Sequence, residues 1–197
     1  NPDIYFQVRE ANNRFYDAVP QIVEGYMDQI SARTGRTYKL FNYYGAPDAT
    51  EVVVAMGSVS GAVRETVDYL NAQGRKVGFV QVHLFRPFSI GRLLDAIPET
   101  ALRIAVLDRC KEMGSAGEPL YQDVCTAFSQ SERCPLIVGG RYGLSSKDTT
   151  PAHIGGVYEN LRSAKPLNGF TIGIVDDLTH LSLAPDAKIP QVRKGVF

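Results

Sequence analysis

The sequence contains little cysteine and no tryptophan. Its three cysteines, Cys110, Cys125 and Cys134, stand 15 and 9 positions apart. An odd number of cysteines at such wide intervals excludes both a disulfide framework and a metal or cluster site of the C-x-x-C type in this sequence. Cysteines used so sparingly are typical of a reducing compartment, so we expect a cytoplasmic protein. An organelle stays open, because a targeting segment could precede Asn1.

Charge of one sign is not in excess either. There are 21 Lys and Arg residues against 21 Asp and Glu residues, so the formal net charge is zero. Such a chain lacks the basic field that draws proteins to nucleic acid or to an anionic membrane, and we expect neither as a partner. No apolar run approaches the roughly 18 residues that a membrane-spanning helix needs. Hydrophobic residues make up 44% and charged residues 21%, which is typical of a globular domain and excludes collagen, coiled coil and disorder.

Apolar residues recur at three- and four-residue steps between residues 12 and 35. They are Phe15, Val19, Ile22, Val23, Tyr26, Met27 and Ile30. This spacing predicts an amphipathic helix that Gly35 ends. Pro20 lies inside the pattern and has no amide hydrogen. It predicts either a kink at that position or a helix whose main body starts near Pro20.

The remainder of the chain alternates between short apolar runs and helical patterns. The predicted strands are 38–44, 51–56, 76–85, 103–107, 135–138 and 170–175, and the predicted helices are 59–73, 90–97, 118–129 and 151–164. Short apolar strands separated by helices indicate a parallel sheet covered on both faces. We therefore predict a three-layer α/β/α fold with a mostly parallel sheet. A single α/β domain with an N-terminal helix should span residues 1–183, followed by a linker at 184–197 that contains two prolines.

The loops that follow the strands hold the candidate site residues, because open α/β sheets bind ligands beyond the carboxyl ends of their strands. The loop 56–61 (MGSVSG) matches no dinucleotide or phosphate-loop motif and predicts a tight turn. Arg86, between two aromatic residues, either grips an anionic group or fixes its own loop. Arg109 and Lys111 flank Cys110 and could lower its thiol pKa. With no neighbouring base in the sequence, an inert thiol is favoured.

The loop 139–148 is the most distinctive segment of the chain. It combines glycine and serine residues with Arg141, Tyr142, Gly143 and Lys147, and a helix started by a proline follows it. Its backbone amides and its two cations predict either a site for an acidic group or a surface that packs against a neighbouring domain. The sequence does not decide between these two interpretations.

The remaining titratable residues form no local catalytic pattern. Asp176 and Asp177 predict a cap for the following turn, because adjacent residues of a strand point to opposite faces. His83, His153 and His180 are too scattered for a local metal motif. The candidate interface or anion-binding residues are Arg86, Arg109, Arg141, Tyr142, Gly143 and Lys147.

Several segments together resemble pyruvate:ferredoxin (flavodoxin) oxidoreductase. They are residues 9–12 (REAN), 56–58 (MGS), 83–88 (HLFRPF), 108–109 (DR), 117–121 (GEPLY) and 140–147 (GRYGLSSK), the last followed by TPA. The GRYGLSSK segment is the most specific of these. The resemblance covers nearly the whole chain. It corresponds to the second domain of that enzyme, which is similar to the C-terminal domain of transketolase.

The resemblance implies a much larger, homodimeric parent. Members of the family oxidatively decarboxylate pyruvate, transfer the acetyl unit to coenzyme A and pass electrons to ferredoxin or flavodoxin. Thiamine diphosphate with Mg²⁺ and iron–sulfur clusters are the implied cofactors, and other domains of the parent are implied to hold them. The resemblance assigns this chain no catalytic, cofactor-binding or metal-binding residue. It implies a structural and interface domain that is inactive alone. It also implies that a further domain follows this one in the parent polypeptide.

Two alternatives stay open at this point. In the first, Arg86, Arg141 and Lys147 bind an acidic metabolite or part of coenzyme A. In the second, the chain is the same domain of another 2-oxoacid oxidoreductase.

Overall fold

A computed structural model describes residues 1–190 of the chain. The helices are α1 (Pro2–Ala11), α2 (Asn13–Thr34), α3 (Ser60–Ala72), α4 (Ile90–Ala96), α5 (Pro119–Ser129) and α6 (Pro151–Arg162). The strands are β1 (Phe41–Gly45), β2 (Glu51–Met56), β3 (Val77–Val82), β4 (Arg103–Asp108), β5 (Leu136–Arg141), β6 (Phe170–Ile172) and β7 (Ser182–Leu183).

The strands form one sheet in the order β1-β3-β2-β4-β5-β6-β7. β1 pairs antiparallel with β3, and the other neighbours in the sheet pair parallel. The central strands are apolar on both faces because helices cover both. One core cluster joins the sheet to α3 and α6, and the other joins it to α4 and α5. The predicted α/β class, with three layers and a mostly parallel sheet, is confirmed.

Two departures from the predicted elements occur at the N-terminus. A separate helix, α1, spans Pro2–Ala11, where no helix was predicted. Helix α2 begins at Asn13 and continues through Pro20, so a start near Pro20 is wrong. The missing proline hydrogen bond would have gone to the carbonyl of Tyr16. Because Tyr16 lies on an exposed stretch, water can satisfy that carbonyl instead.

The strand predicted at 170–175 is shorter than expected. It ends at Ile172 because Gly173 adopts a left-handed conformation with φ 82°, which breaks the extended backbone. The two-residue strand β7 was not predicted, since two residues carry no readable alternation. Thr150 caps α6 as predicted: its hydroxyl accepts a hydrogen bond from the amide of His153.

Part of the predicted linker lies against α3 and α6. The amide of Asp186 donates to the carbonyl of Ala152 (2.8 Å), and the Tyr69 hydroxyl donates to the carbonyl of Lys188 (2.7 Å). The Ile189 side chain is 4% exposed. Residues 191–197 lie outside the described residues, and the domain boundary after residue 183 stays a prediction.

Candidate functional site

The candidate loops converge at the carboxyl edge of two adjacent strands. β4 and β5 pair in parallel register, so that Asp108 lies opposite Arg141 where both strands end. The loops that follow carry Arg109 on one side and Tyr142 and Gly143 on the other. Four of the six predicted site residues therefore meet at one place in the sheet, as its parallel order requires.

Asp108 is the buried centre of this place. Its side chain is 2% exposed, and its two carboxylate oxygens accept hydrogen bonds from the amides of Leu120 (3.0 Å) and Tyr121 (3.1 Å). These amides belong to the first turn of α5, whose free N–H groups need acceptors. Burial raises the pKa of Asp108, and the two backbone hydrogen bonds oppose that rise. Asp108 thus fastens the start of α5 to the end of β4.

Arg109 and Tyr142 hold the loop after β5 in place. The Arg109 Nε donates to the carbonyl of Gly143 (2.9 Å), and the Tyr142 hydroxyl donates to the carbonyl of Met56 (3.0 Å) at the end of β2. Gly143 has φ 64°, and a Cβ there would lie 3.1 Å from the Arg109 Nε. Glycine is favoured at 143 by its left-handed conformation, and a Cβ there would require Arg109 to shift by a few tenths of an ångström.

Arg141 forms a buried ion pair with Glu118. Its guanidinium donates to the Glu118 carboxylate (3.3 Å) and to the carbonyl of Gly169. The two side chains are 10% and 3% exposed. Lys111 lies 3.8 Å from the same carboxylate. These residues line a cleft of about 310 Å³ that also borders the first turn of α5.

Arg86 lies elsewhere. It follows β3, which is separated from β5 by β2 and β4 in the sheet, a distance of roughly 14 Å at the usual strand spacing. Its guanidinium bonds to Asp123 (2.6 Å) and to the carbonyl of Phe85 (3.0 Å), and it stacks over the Phe85 ring. These contacts fix its own loop, and the structure does not bring Arg86 together with Arg141.

Cys110 does not have the environment of a reactive thiol. Burial raises the pKa of this thiol, and the carboxylates of Asp108, Glu112 and Glu118 raise it further. The thiolate is the reactive form, so these neighbours suppress reactivity. The inert interpretation of Cys110 agrees with this geometry.

Lys147 lies beside the start of α6. The amide of Thr150 donates to Nδ1 of His153 (3.2 Å), which completes a reciprocal cap. Burial lowers the pKa of His153, and the positive charge of Lys147 lowers it further. His153 must be neutral at Nδ1 to accept this bond, so the cap depends on protonation.

We expect the N-terminal cap of α6 to weaken in acid. The folded-state pKa of His153 lies below its ordinary value, so the folded protein binds fewer protons than the unfolded one. The stabilisation is complete above the ordinary histidine pKa and is lost as the pH falls towards the folded-state value. Thermal unfolding should give a lower Tm at pH 5 than at pH 7.5, with a smaller difference in His153→Gln. An identical pH dependence in both proteins would contradict this role.

Asp177, which the sequence predicts to cap a turn, has a structural role. The Asp177 carboxylate accepts hydrogen bonds from the amides of Leu181 (3.2 Å) and Ser182 (2.8 Å). Bonds to the backbone lower the pKa of Asp177. The predicted turn cap at this residue is confirmed, and it positions β7 at the sheet edge.

Sequence reasoning did not assign the central roles of Asp108 and Glu118. Both residues bracket a loop that was selected for its length and charge, but their partners are distant in sequence. The proline that starts α5, directly after Glu118, was the available signal for a helix N-terminus that needs an acidic partner.

Neither a metal site nor a membrane span is evident in the described part of the chain. Among residues 1–190, no three His, Cys, Asp or Glu side chains lie close enough together to hold a metal ion. No helix of residues 1–190 combines the length and apolarity needed to cross a membrane.

The chain is similar to known proteins over its whole length. Residues 49–154 match the family model described as pyruvate:ferredoxin oxidoreductase core domain II. A pyruvate-flavodoxin oxidoreductase from Klebsiella pneumoniae is 60% identical over 94% of this chain and 16% of its own length. The pyruvate:ferredoxin oxidoreductase from Moorella thermoacetica is 52% identical over 100% of this chain and 17% of its own length.

A solved structure of a split gene transketolase, an inactive beta4 tetramer, is also similar. It is 16% identical, covers 53% of this chain and 34% of the transketolase chain, and has a TM-score of 0.41. The α/β fold class itself rests on the sheet order given above. The chain spans about a sixth of the length of the curated relatives it matches. On the family match over residues 49–154, the chain belongs to the pyruvate:ferredoxin oxidoreductase family and carries its core domain II.

Proposed function

We propose that this chain is a structural and interface domain of a larger enzyme that oxidatively decarboxylates pyruvate. The proposal rests on the hydrogen bonds and the ion pair that engage the polar side chains at the carboxyl edge of β4 and β5. Asp108, Arg109, Arg141 and Tyr142 each bond to the chain's own backbone, and Glu118 pairs with Arg141. Side chains engaged in this way brace the loops and are not free to act on a substrate.

The parent reaction then belongs to other parts of the polypeptide. We propose that the parent converts pyruvate and coenzyme A to acetyl-CoA and CO2 and passes the electrons to ferredoxin or flavodoxin. Thiamine diphosphate would supply the carbanion chemistry, with Mg²⁺ and iron–sulfur clusters as further cofactors. The other domains would hold these groups. A homodimeric parent in the cytoplasm completes this proposal, and the sparse cysteines support that location.

A binding role for the edge loops is the second candidate. The cleft beside Arg141 and Lys111 is its supporting observation. Against it, the Glu118 carboxylate already pairs with Arg141 and places a negative charge in the same cleft. An acidic metabolite would have to displace a buried intramolecular partner, which costs binding free energy. We therefore rank the structural role first.

The test compares the 197-residue chain with the full-length polypeptide that carries it. Each protein is supplied with pyruvate, coenzyme A, thiamine diphosphate and Mg²⁺, and reduction of a viologen dye is followed. We expect turnover by the full-length polypeptide and none by the chain alone, once its cooperative thermal unfolding shows that it is folded. Pyruvate turnover by the folded chain alone would overturn the proposal. Heat released on titrating that chain with coenzyme A would favour the binding role.

A further inference from the structure

The two N-terminal helices expose an unusual amount of apolar surface. Neither α1 nor α2 contains a fully buried residue. The exposed large apolar side chains of these helices are Ile4, Tyr5, Phe6, Val8, Phe15, Tyr16, Ile22, Tyr26 and Ile30. Phe6 is 69% exposed and Tyr26 is 63% exposed. Contiguous exposure of this kind marks an interaction surface, whereas single exposed residues do not.

Five of these residues form one stripe. Asn12, between the helices, keeps a right-handed helical conformation with φ −74° and ψ −19°, so the helical rotation continues from α1 into α2 although the junction has i→i−3 hydrogen bonds. A helix turns by about 100° per residue. That rotation places Ile4, Val8, Phe15, Ile22 and Tyr26 on one side, and we call these five residues the apolar stripe. At about 1.5 Å per residue the stripe is roughly 33 Å long.

The stripe is not the side by which α2 contacts its own domain. Val23 and Met27 pack against the core cluster of α4 and α5, and Glu24 forms an ion pair with Arg92 on α4 (2.6 Å). At 100° per residue these side chains project about a quarter to half a turn away from the stripe. Within residues 1–190, the five residues of the stripe stay 54–63% exposed, although the Arg14 guanidinium lies over the Phe15 ring, 4.7 Å from its centre.

Helix α1 gains no stability from the burial of an apolar side chain in the described part of the chain. It has ten residues and buries none of them. Packing of an apolar face supplies most helix stability in proteins, whereas α1 has the cap at Asn1 and its connection to α2 in its place. Covering the stripe would provide that packing.

The rest of the parent polypeptide is the occupant that the observations favour, and this step rests on the proposed function. The Moorella thermoacetica relative matches all of this chain, helices included, yet the chain is 17% of that protein. The family domain match begins at residue 49, after both helices. Segments joined in one polypeptide meet at high effective concentration, which favours contact within the chain over contact between chains. The stripe offers aliphatic and aromatic side chains over roughly 33 Å, so the partner surface that it fits is an apolar groove.

We infer that the apolar stripe docks into an apolar groove on another domain of the same polypeptide. In this arrangement α1 and α2 act as an arm that fixes the orientation of core domain II.

Photo-cross-linking in the full-length polypeptide tests this inference. Benzoylphenylalanine replaces Phe15 on the stripe or, as the matched control, the exposed Gln21 on another side of α2. Mixed isotope-labelled copies separate links within one polypeptide from links between two. We expect Phe15 to link to a peptide outside residues 1–197 of the same polypeptide, with at least tenfold higher yield than Gln21. Links between copies, or equal yields at both positions, would overturn the inference.

Hydrogen exchange on the same full-length protein gives a second measurement. Amides of α1 should exchange at least a hundredfold more slowly than unstructured peptide if the stripe is covered, and unprotected amides would overturn the inference. The intact mass of the purified polypeptide distinguishes failure of the proposed function from failure of the docking inference alone. A native polypeptide near 21.6 kDa would contradict the proposed function and would also exclude another domain of the same polypeptide as the partner of the stripe. A long polypeptide with an unprotected α1 would remove this inference alone.

Discussion

Replacing Arg141 with alanine should lower the free energy of unfolding of this domain by about 3–5 kcal/mol. The Glu118 carboxylate, 3% exposed, would lose its guanidinium partner and keep only Lys111 at 3.8 Å. A buried charge without a close partner is one of the costliest defects that a single substitution creates. The carbonyl of Gly169 would lose its donor as well. Denaturant unfolding of the 197-residue chain measures the loss.

Arg86→Ala is the matched control for this experiment. Arg86 also pairs with a carboxylate, that of Asp123, but its side chain is 54% exposed, and exposed pairs contribute less than about 1 kcal/mol. A double-mutant cycle with Glu118→Gln should recover part of the loss, because the neutral side chain no longer needs a cation. If Arg141→Ala lost less than about 1 kcal/mol and abolished binding of an acidic ligand, the binding role would replace the structural one.

Replacing Asp108 with alanine should cost about 2–4 kcal/mol. The substitution removes both acceptors at the start of α5, and the amides of Leu120 and Tyr121 would be left without partners beside a buried strand end. Loss of a helix cap costs about 0.5–2 kcal/mol, and unsatisfied buried donors add about 1–3 kcal/mol each before relaxation. Chemical denaturation gives the total.

Asp108→Asn distinguishes what the hydrogen-bond acceptor contributes to the free energy of unfolding from what the negative charge contributes. Its side-chain carbonyl can still accept one of the two bonds, so we expect about half the loss seen in Asp108→Ala. Because burial raises the pKa of Asp108, the charged form is disfavoured in the fold and the neutral amide regains part of the cost. If Asp108→Asn were as damaging as Asp108→Ala, or if neither changed stability, the proposed fastening of α5 to β4 would be wrong.

The layered fold was predictable because its signals are local. The run 51–56 is apolar on every residue after Glu51, as expected for a strand covered on both faces. Gly35 ends α2 in the left-handed conformation that glycine favours. Thr150 and Pro151 begin α6 as a capped, proline-started helix. Each of these features depends on a few neighbouring residues, so the sequence alone carries them.

The pairing within the candidate site was not predictable from one sequence. Arg141 and Glu118 are 23 residues apart, and Arg109 and Gly143 are 34 apart. Only the register of β4 on β5 brings these residues together. The loops could be located from strand order, but which cation meets which carboxylate depends on side-chain packing that no local pattern encodes. Helix α1 was missed because its apolar residues, Ile4, Tyr5, Phe6 and Val8, are grouped within five positions and show no clear helical period.

These pairings explain why a loop rich in glycine and cations can have a structural role instead of binding a ligand. At the carboxyl edge of β4 and β5, a ligand would normally meet free amides and free charges. Here Asp108 accepts hydrogen bonds from two amides of α5, and Glu118 forms an ion pair with the guanidinium of Arg141. The chain thus supplies its own counter-charges at the position where a catalytic domain would place a ligand.

The intact mass of the native polypeptide that carries this sequence tests the central claim most directly. The chain itself has a mass of 21.6 kDa, and its relatives are about six times as long. A domain that braces a larger pyruvate-oxidising enzyme must be part of such a polypeptide, so we predict a mass several times 21.6 kDa. A native polypeptide near 21.6 kDa would contradict the claim and would point to a free-standing binding protein.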